Sequence, residues 1–212
     1  MTRVAPVRAE ARRITALAWP VIVTSLNWTL LQVTDVVLVG LVSTDQAAIL
    51  GASRTIGFVA IVAGLGALTG ILVFASRADG AGDLPITGRI LHEGVVLAAM
   101  LSVGAGLPIY LFAEQFLALL GVAPPLVAGT AVLVRIFAAT LPFYLLTFAF
   151  SYFLEGISRP QRVTVVNLAI LPLNAVLAWA LSGGHLGFAQ MGAAGAALAT
   201  LVAAALGALG MA

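Results

Sequence analysis

Between Ile14 and Met211 the chain falls into six long apolar runs separated by short connectors. A helix needs about 20 residues to cross the hydrocarbon core of a bilayer. The runs cover approximately 14–40, 48–76, 89–112, 126–155, 161–182 and 190–211. None has the in–out alternation of a barrel strand, so helices are the spanning form expected. The connectors carry turn chemistry in "ADGAGDLP", "GVAPP", "EGISRP" and "SGGHLG". Only 8% of residues are charged and 62% are hydrophobic. A water-soluble surface needs about 25% charged residues. The fold class expected is therefore an all-α integral membrane protein with six transmembrane helices, preceded by a short N-terminal segment, 1–13. The apolar run after Arg12–Arg13 is too long for a signal peptide and is followed by further spans.

All ten basic residues are arginines. Arg3, Arg8, Arg12 and Arg13 precede the first run, Arg77 and Arg89 flank the second–third connector, and Arg159 and Arg162 flank the fourth–fifth. Arg54 and Arg135 lie inside runs, towards the opposite ends. Eight arginines on one side predict a cytoplasmic N-terminus in the cell (inner or plasma) membrane. The charge is too sparse and dispersed for a nucleic-acid surface. The chain lacks cysteine, and no Ser/His/Asp or metal-ligand spacing supports an enzyme. The closing "AAALGALGMA" stays apolar with no charged or aromatic anchor, the pattern expected if the chain stops at the end of one structural half.

Inside this apolar background the polar residues carry the information. Asp35 sits about twenty residues into the first run, where a carboxylate costs about 2.5–3.5 kcal/mol. At 100° per residue, Thr24, Asn27, Leu31 and Asp35 fall within about 80° of one face, with Trp28 beside it. A one-sided polar stripe predicts a cavity, and the alternative is a carboxylate solvated at the outer interface. Such a group can be neutral in one state and charged in another. Pro20, earlier in the same helix, supplies a hinge candidate. In the fifth run Asn167 and Asn174 are two turns apart on one face with Pro172 between them. They read equally well as cavity lining and as interhelical hydrogen-bonding groups. Thr200 is the hydroxyl of the sixth run, and the alternative for it is a bond back to its own backbone. In "GLGALTG" the glycines Gly66 and Gly70 predict a helix-contact face. A pairing of Arg135 with Glu114 is open.

The order of these features resembles the N-terminal half of the multidrug and toxic compound extrusion (MATE) family. "LAWPVIVTSLNWTLLQVTDVVLVGLVSTDQAAILG" is similar to the family's first span, and "SRADGAGD" and "FLEGISRPQ" to its two cytoplasmic loops. "LNAVLAWALSGGHLGFAQMGAAGAALAT" is similar to its fifth and sixth spans. The resemblance implies one six-span lobe of a twelve-span transporter. That transporter would be an antiporter exporting small organic, often cationic, compounds in exchange for H+ or Na+. It implies a bilayer, an organic substrate and a second six-span lobe as partners, the lobe lying in the same chain or in a second copy. No cofactor is implied beyond the coupling ion. By motif, Asp35, Asn174 and Thr200 carry over as the cation or proton coupling group, with Na+ the only metal implied there. Thr24, Asn27 and Asn167 are cavity-lining candidates and Pro20 matches the kink proline. The family's second aspartate falls on Ala178, which tilts the expectation towards protons. Two rival functions are a lipid-linked precursor flippase of the same superfamily, which needs a strongly basic cavity, and a six-span assembly protein that transports nothing.

Overall fold

The computed structural model describes residues 7–212, without the side chains of residues 7–11, 13, 14, 16, 17, 20, 21 and 24. Its order is α1 (Val7–Val42), α2 (Thr44–Gly80), α3 (Leu84–Leu111), α4 (Ala113–Leu119), α5 (Pro124–Gly156), α6 (Pro160–Gly183) and α7 (Ala193–Met211). Six of these helices, all but α4, are long and apolar enough to cross a membrane, α1 through its Ser25–Val42 part. The short α4 lies where the run pattern predicts only a connector.

The helix ends follow local chemistry. Asp83 caps α3, its side chain accepting the Ile86 N–H at 3.1 Å. Pro160 opens α6, at a position whose N–H would have no helical partner. Gly184 ends α6 in the left-handed region at φ +74°. Residues 190–192, expected from sequence to begin the sixth span, lie outside α7. Gly192 breaks the backbone at φ +56°, and the Gln46 side chain, from the first turn of α2, accepts the Ala193 N–H at 3.1 Å.

α5 is central and packs on α2, α3 and α7. α1 packs on α2 and α6, and α6 on α7. The helices α1, α2, α5, α7 and α6 thus form a closed ring, with α3 and α4 outside it. One core cluster joins Val39, Leu50, Leu133 and Ala178 to the alanines of α7. A second joins Leu68, Ile71, Ala98, Leu141, Leu145 and Ala149. Without water between helices, close backbone approach by small residues replaces the hydrophobic effect as the packing device.

Gly195 is the closest such approach. A Cβ there would lie 2.5 Å from the Leu181 backbone carbon, across the α6–α7 seam. Gly66 and Gly70 do not form the contact face expected from their spacing. A Cβ at Gly66 meets nothing within 4 Å, and one at Gly70 meets only Phe74 of its own helix. Gly64 is the buried glycine of that segment and faces the Leu145 side chain. The i, i+4 spacing is present, but the rotation of α2 points that pair outward. Gly195→Ala is expected to destabilise the bundle by about 1–3 kcal/mol through overpacking, whereas Gly66→Ala leaves it unchanged or slightly stabilised. Thermal unfolding in detergent reads both.

Candidate functional site

Asp35 lies in the ring interior and is 1% exposed. Its carboxylate accepts hydrogen bonds from three helices. The Asn174 amide of α6 donates to Oδ1 at 3.0 Å. The Arg54 guanidinium of α2 donates to Oδ2 at 2.8 Å. The Thr200 hydroxyl of α7 lies 3.0 Å from Oδ2 and 3.0 Å from its own-helix carbonyl at Ala196. That hydroxyl has one proton to give, so it either donates to the carboxylate or bonds back to Ala196. Burying a carboxylate is tolerable only with such compensation.

Asp35, Asn174 and Thr200, widely separated in sequence, therefore meet at one point. Asn27 is also buried, and its amide donates to the Asn167 carbonyl at 2.6 Å, tying α1 to α6. Pro20 and Thr24 lie within the α1 backbone, but their side chains are outside the described residues. Ala178, one turn along α6 from Asn174, is fully buried in the apolar cluster. No oxygen from that position reaches the carboxylate.

Asn27, Asp35, Asn167, Asn174 and Thr200 line a cleft of about 440 Å³ walled by the five ring helices. Asp35 and Thr200 line one part of it and Glu155, at the far end of α5, another. Tyr144 and Glu155 are eleven residues apart, so the cleft runs about 16 Å along the helices at 1.5 Å per residue. Trp28 meets Tyr144 edge-on at 5.1 Å and lies 5.9 Å from Phe148, making an aromatic wall. Asn27 Oδ1, Asn174 Oδ1 and Thr147 Oγ1 are buried cleft-lining oxygens with no hydrogen-bond partner among the described residues. Glu155 forms no ion pair among the described residues.

Arg54, Tyr144, Phe148 and Glu155 are site residues that the sequence reasoning misses. For Arg54 a signal exists. Asp35 is eight residues before Ser43 and Arg54 eleven after it, so an α1–α2 hairpin brings them to similar depth. The placement of Arg54 near an outer end overlooks this partner. Arg135 bonds Glu114 at 3.0 Å. Both arginines that depart from the one-sided charge pattern are thus ion-paired.

Three comparisons bear on identity. The sequence profile of the MatE family matches residues 20–180. The "Probable multidrug resistance protein NorM" of Caulobacter vibrioides is 31% identical over 202 residues, 93% of this chain and 42% of that protein. The "Multidrug resistance protein PmpM" of Pseudomonas aeruginosa is 26% identical, over 92% of this chain and 41% of that protein. A MATE crystal structure in the bent conformation superposes with a TM-score of 0.82 at 22% identity, covering 93% of this chain and 43% of its own. The chain spans less than half the length of these relatives.

Proposed function

The chain belongs to the MatE family, and on that footing we propose that it supplies one six-span lobe of a secondary active exporter. The exporter moves small organic cations out of the cell in exchange for H+ or Na+. The second six-span lobe is furnished by the rest of a full-length chain or by a second copy. The protein sits in the plasma membrane with its N-terminus cytoplasmic, a reading supported by the loop arginines.

The observation that carries this reading is the cleft. It is largely apolar, has the volume of a small-molecule site, and holds few polar groups, as such sites do. Three buried acceptor oxygens without partners suit a ligand bearing N–H or O–H donors. The aromatic wall of Trp28, Tyr144 and Phe148 suits a flat or cationic ligand face. Glu155 supplies a carboxylate with no cationic partner in the described structure to meet a positive charge. Asp35 at the other part of the cleft is the coupling group, held by Arg54, Asn174 and Thr200. A change of its charge state alters bonds to α2, α6 and α7 together, which is how a local event can bias a helix bundle between two arrangements. The flippase reading calls for a basic cavity, and this cleft carries two carboxylates.

The test is efflux of a fluorescent aromatic cation from proteoliposomes holding the full-length protein under an imposed ion gradient. Trp28→Ala is expected to raise KM by about thirtyfold, the size of a desolvated cation–π contact of about 2 kcal/mol. Glu155→Gln is expected to raise KM for a cation and leave that for a neutral analogue unchanged. Unchanged KM in both variants would place the substrate elsewhere.

A further inference from the structure

Arg54 is the cation paired with Asp35 among the described residues, and its geometry bears on which ion can use Asp35. Its guanidinium bridges two positions of α1 three residues apart, donating to Asp35 Oδ2 at 2.8 Å and to the Gln32 carbonyl at 2.9 Å. The side chain is only 16% exposed and that of Asp35 only 2%. Counting Asn174, and Thr200 when its proton points to Asp35, the carboxylate accepts up to three hydrogen bonds out of about four lone-pair sites.

The surroundings fit a dehydrated alkali cation poorly. Such an ion needs several oxygens to replace its water. Besides the carboxylate, the residues bonded to it offer two side-chain oxygens, Thr200 Oγ1 and Asn174 Oδ1. Asn174 turns its nitrogen, not that oxygen, to Asp35. The next residue on that face of α6 is Ala178, buried among Val39, Leu50 and Ala197, so this position supplies no second carboxylate to offset a second positive charge. Any Na+ reaching Asp35 would meet the guanidinium within a few ångströms in a low-dielectric interior, where like charges repel strongly.

Arg54 also lines a second groove of about 400 Å³, with Trp28, Phe58, Phe137 and Tyr144. Its Nε is buried without a partner in the described structure. The guanidinium is therefore incompletely satisfied where it stands and has adjacent space in which to move.

We infer that Arg54 sets the ion selectivity of this lobe: as a tethered cation it occupies Asp35 and excludes Na+ from it. Asp35 becomes available only when the Arg54 pair opens, not by competition from an alkali ion. This rests on the reading of Asp35 as the coupling group. Na+ binding is measured without transport, so loss of efflux activity and failure of this inference are separate results.

The experiment is titration of NaCl, against choline chloride, into the purified full-length protein in detergent, followed by calorimetry. The parent protein is expected to show no saturable Asp35-dependent Na+ binding. Arg54→Gln is expected to gain it, at least about tenfold tighter than any binding by the parent, and Asp35→Asn on that background to abolish it. Arg54→Lys, which keeps the charge, is expected to behave like the parent. Saturable Na+ binding by the parent that Asp35→Asn removes would overturn the inference, as would a folded Arg54→Gln protein that binds Na+ no better. If Arg54→Gln does not fold in choline chloride, NaCl is expected to restore its folding, because Na+ then replaces the missing cation at Asp35, and equal unfolding in both salts would overturn the inference.

Discussion

Arg54→Ala is expected to lower the stability of the bundle by about 3–5 kcal/mol, the scale of leaving one partner of a buried ion pair uncompensated. The loss arises because Asp35, 1% exposed, would keep only two neutral donors, Asn174 and Thr200. The double variant Arg54→Ala/Asp35→Ala should recover much of that loss, since it removes the stranded charge as well as the bond. A double-mutant cycle isolates this coupling. The exposed pair Arg135–Glu114 makes the internal contrast. Arg135→Ala should change stability by no more than about 0.5 kcal/mol, because solvent screens that pair. Unfolding in detergent by heat or denaturant reads these three variants and the single variant Asp35→Ala that completes the cycle. Equal effects at Arg54 and Arg135 would mean that the Asp35 pair is not buried as described.

Much of the fold is legible from run length alone, because a bilayer leaves a long apolar segment few options other than a helix. The face shared by Asn27 and Asp35 is equally legible, since 100° per residue needs no knowledge of the neighbours. Asn174 and Thr200 are reached through family resemblance, and periodicity alone leaves both with bland alternatives. What stays hidden depends on how helices rotate and pair. Charge counting along the chain assigns Arg54 to an outer end, whereas its role comes from a partner on another helix. Gly66 and Gly70 have the right spacing but the wrong rotation, and Gly64 makes the contact. Tyr144 and Phe148 sit in α5, which is apolar all round, so nothing in its pattern marks one face as a cleft wall. The short helix α4, Ala113–Leu119, is too brief to stand out from a connector.

Asp35→Asn is expected to remove ion-gradient-driven efflux altogether. The substitution keeps the size of the side chain but removes its charge, and with it the ion pair that holds Arg54. The replacement amide can still bond Thr200 and Asn174, so the packing of α1 on α6 and α7 is expected to persist, at a smaller stability cost than Arg54→Ala because the freed guanidinium is 16% exposed and has the adjoining groove to enter. What disappears is the group whose change of charge links an ion to the helices lining the cleft. The same reasoning gives a weaker effect for Thr200→Ala, because its hydroxyl is one of three donors and already has Ala196 as a second acceptor. Asn174→Ala falls between, since Asn174 supplies the only bond to Oδ1 among the described residues.

The most direct measurement is therefore the rate of gradient-driven efflux of an aromatic organic cation from proteoliposomes containing the full-length protein with Asp35→Asn, alongside the parent. Folding of both is checked by gel filtration and thermal unfolding. The account predicts efflux at the level of protein-free liposomes from a variant that remains folded. Efflux at the parent rate, driven by the same gradient, would contradict it.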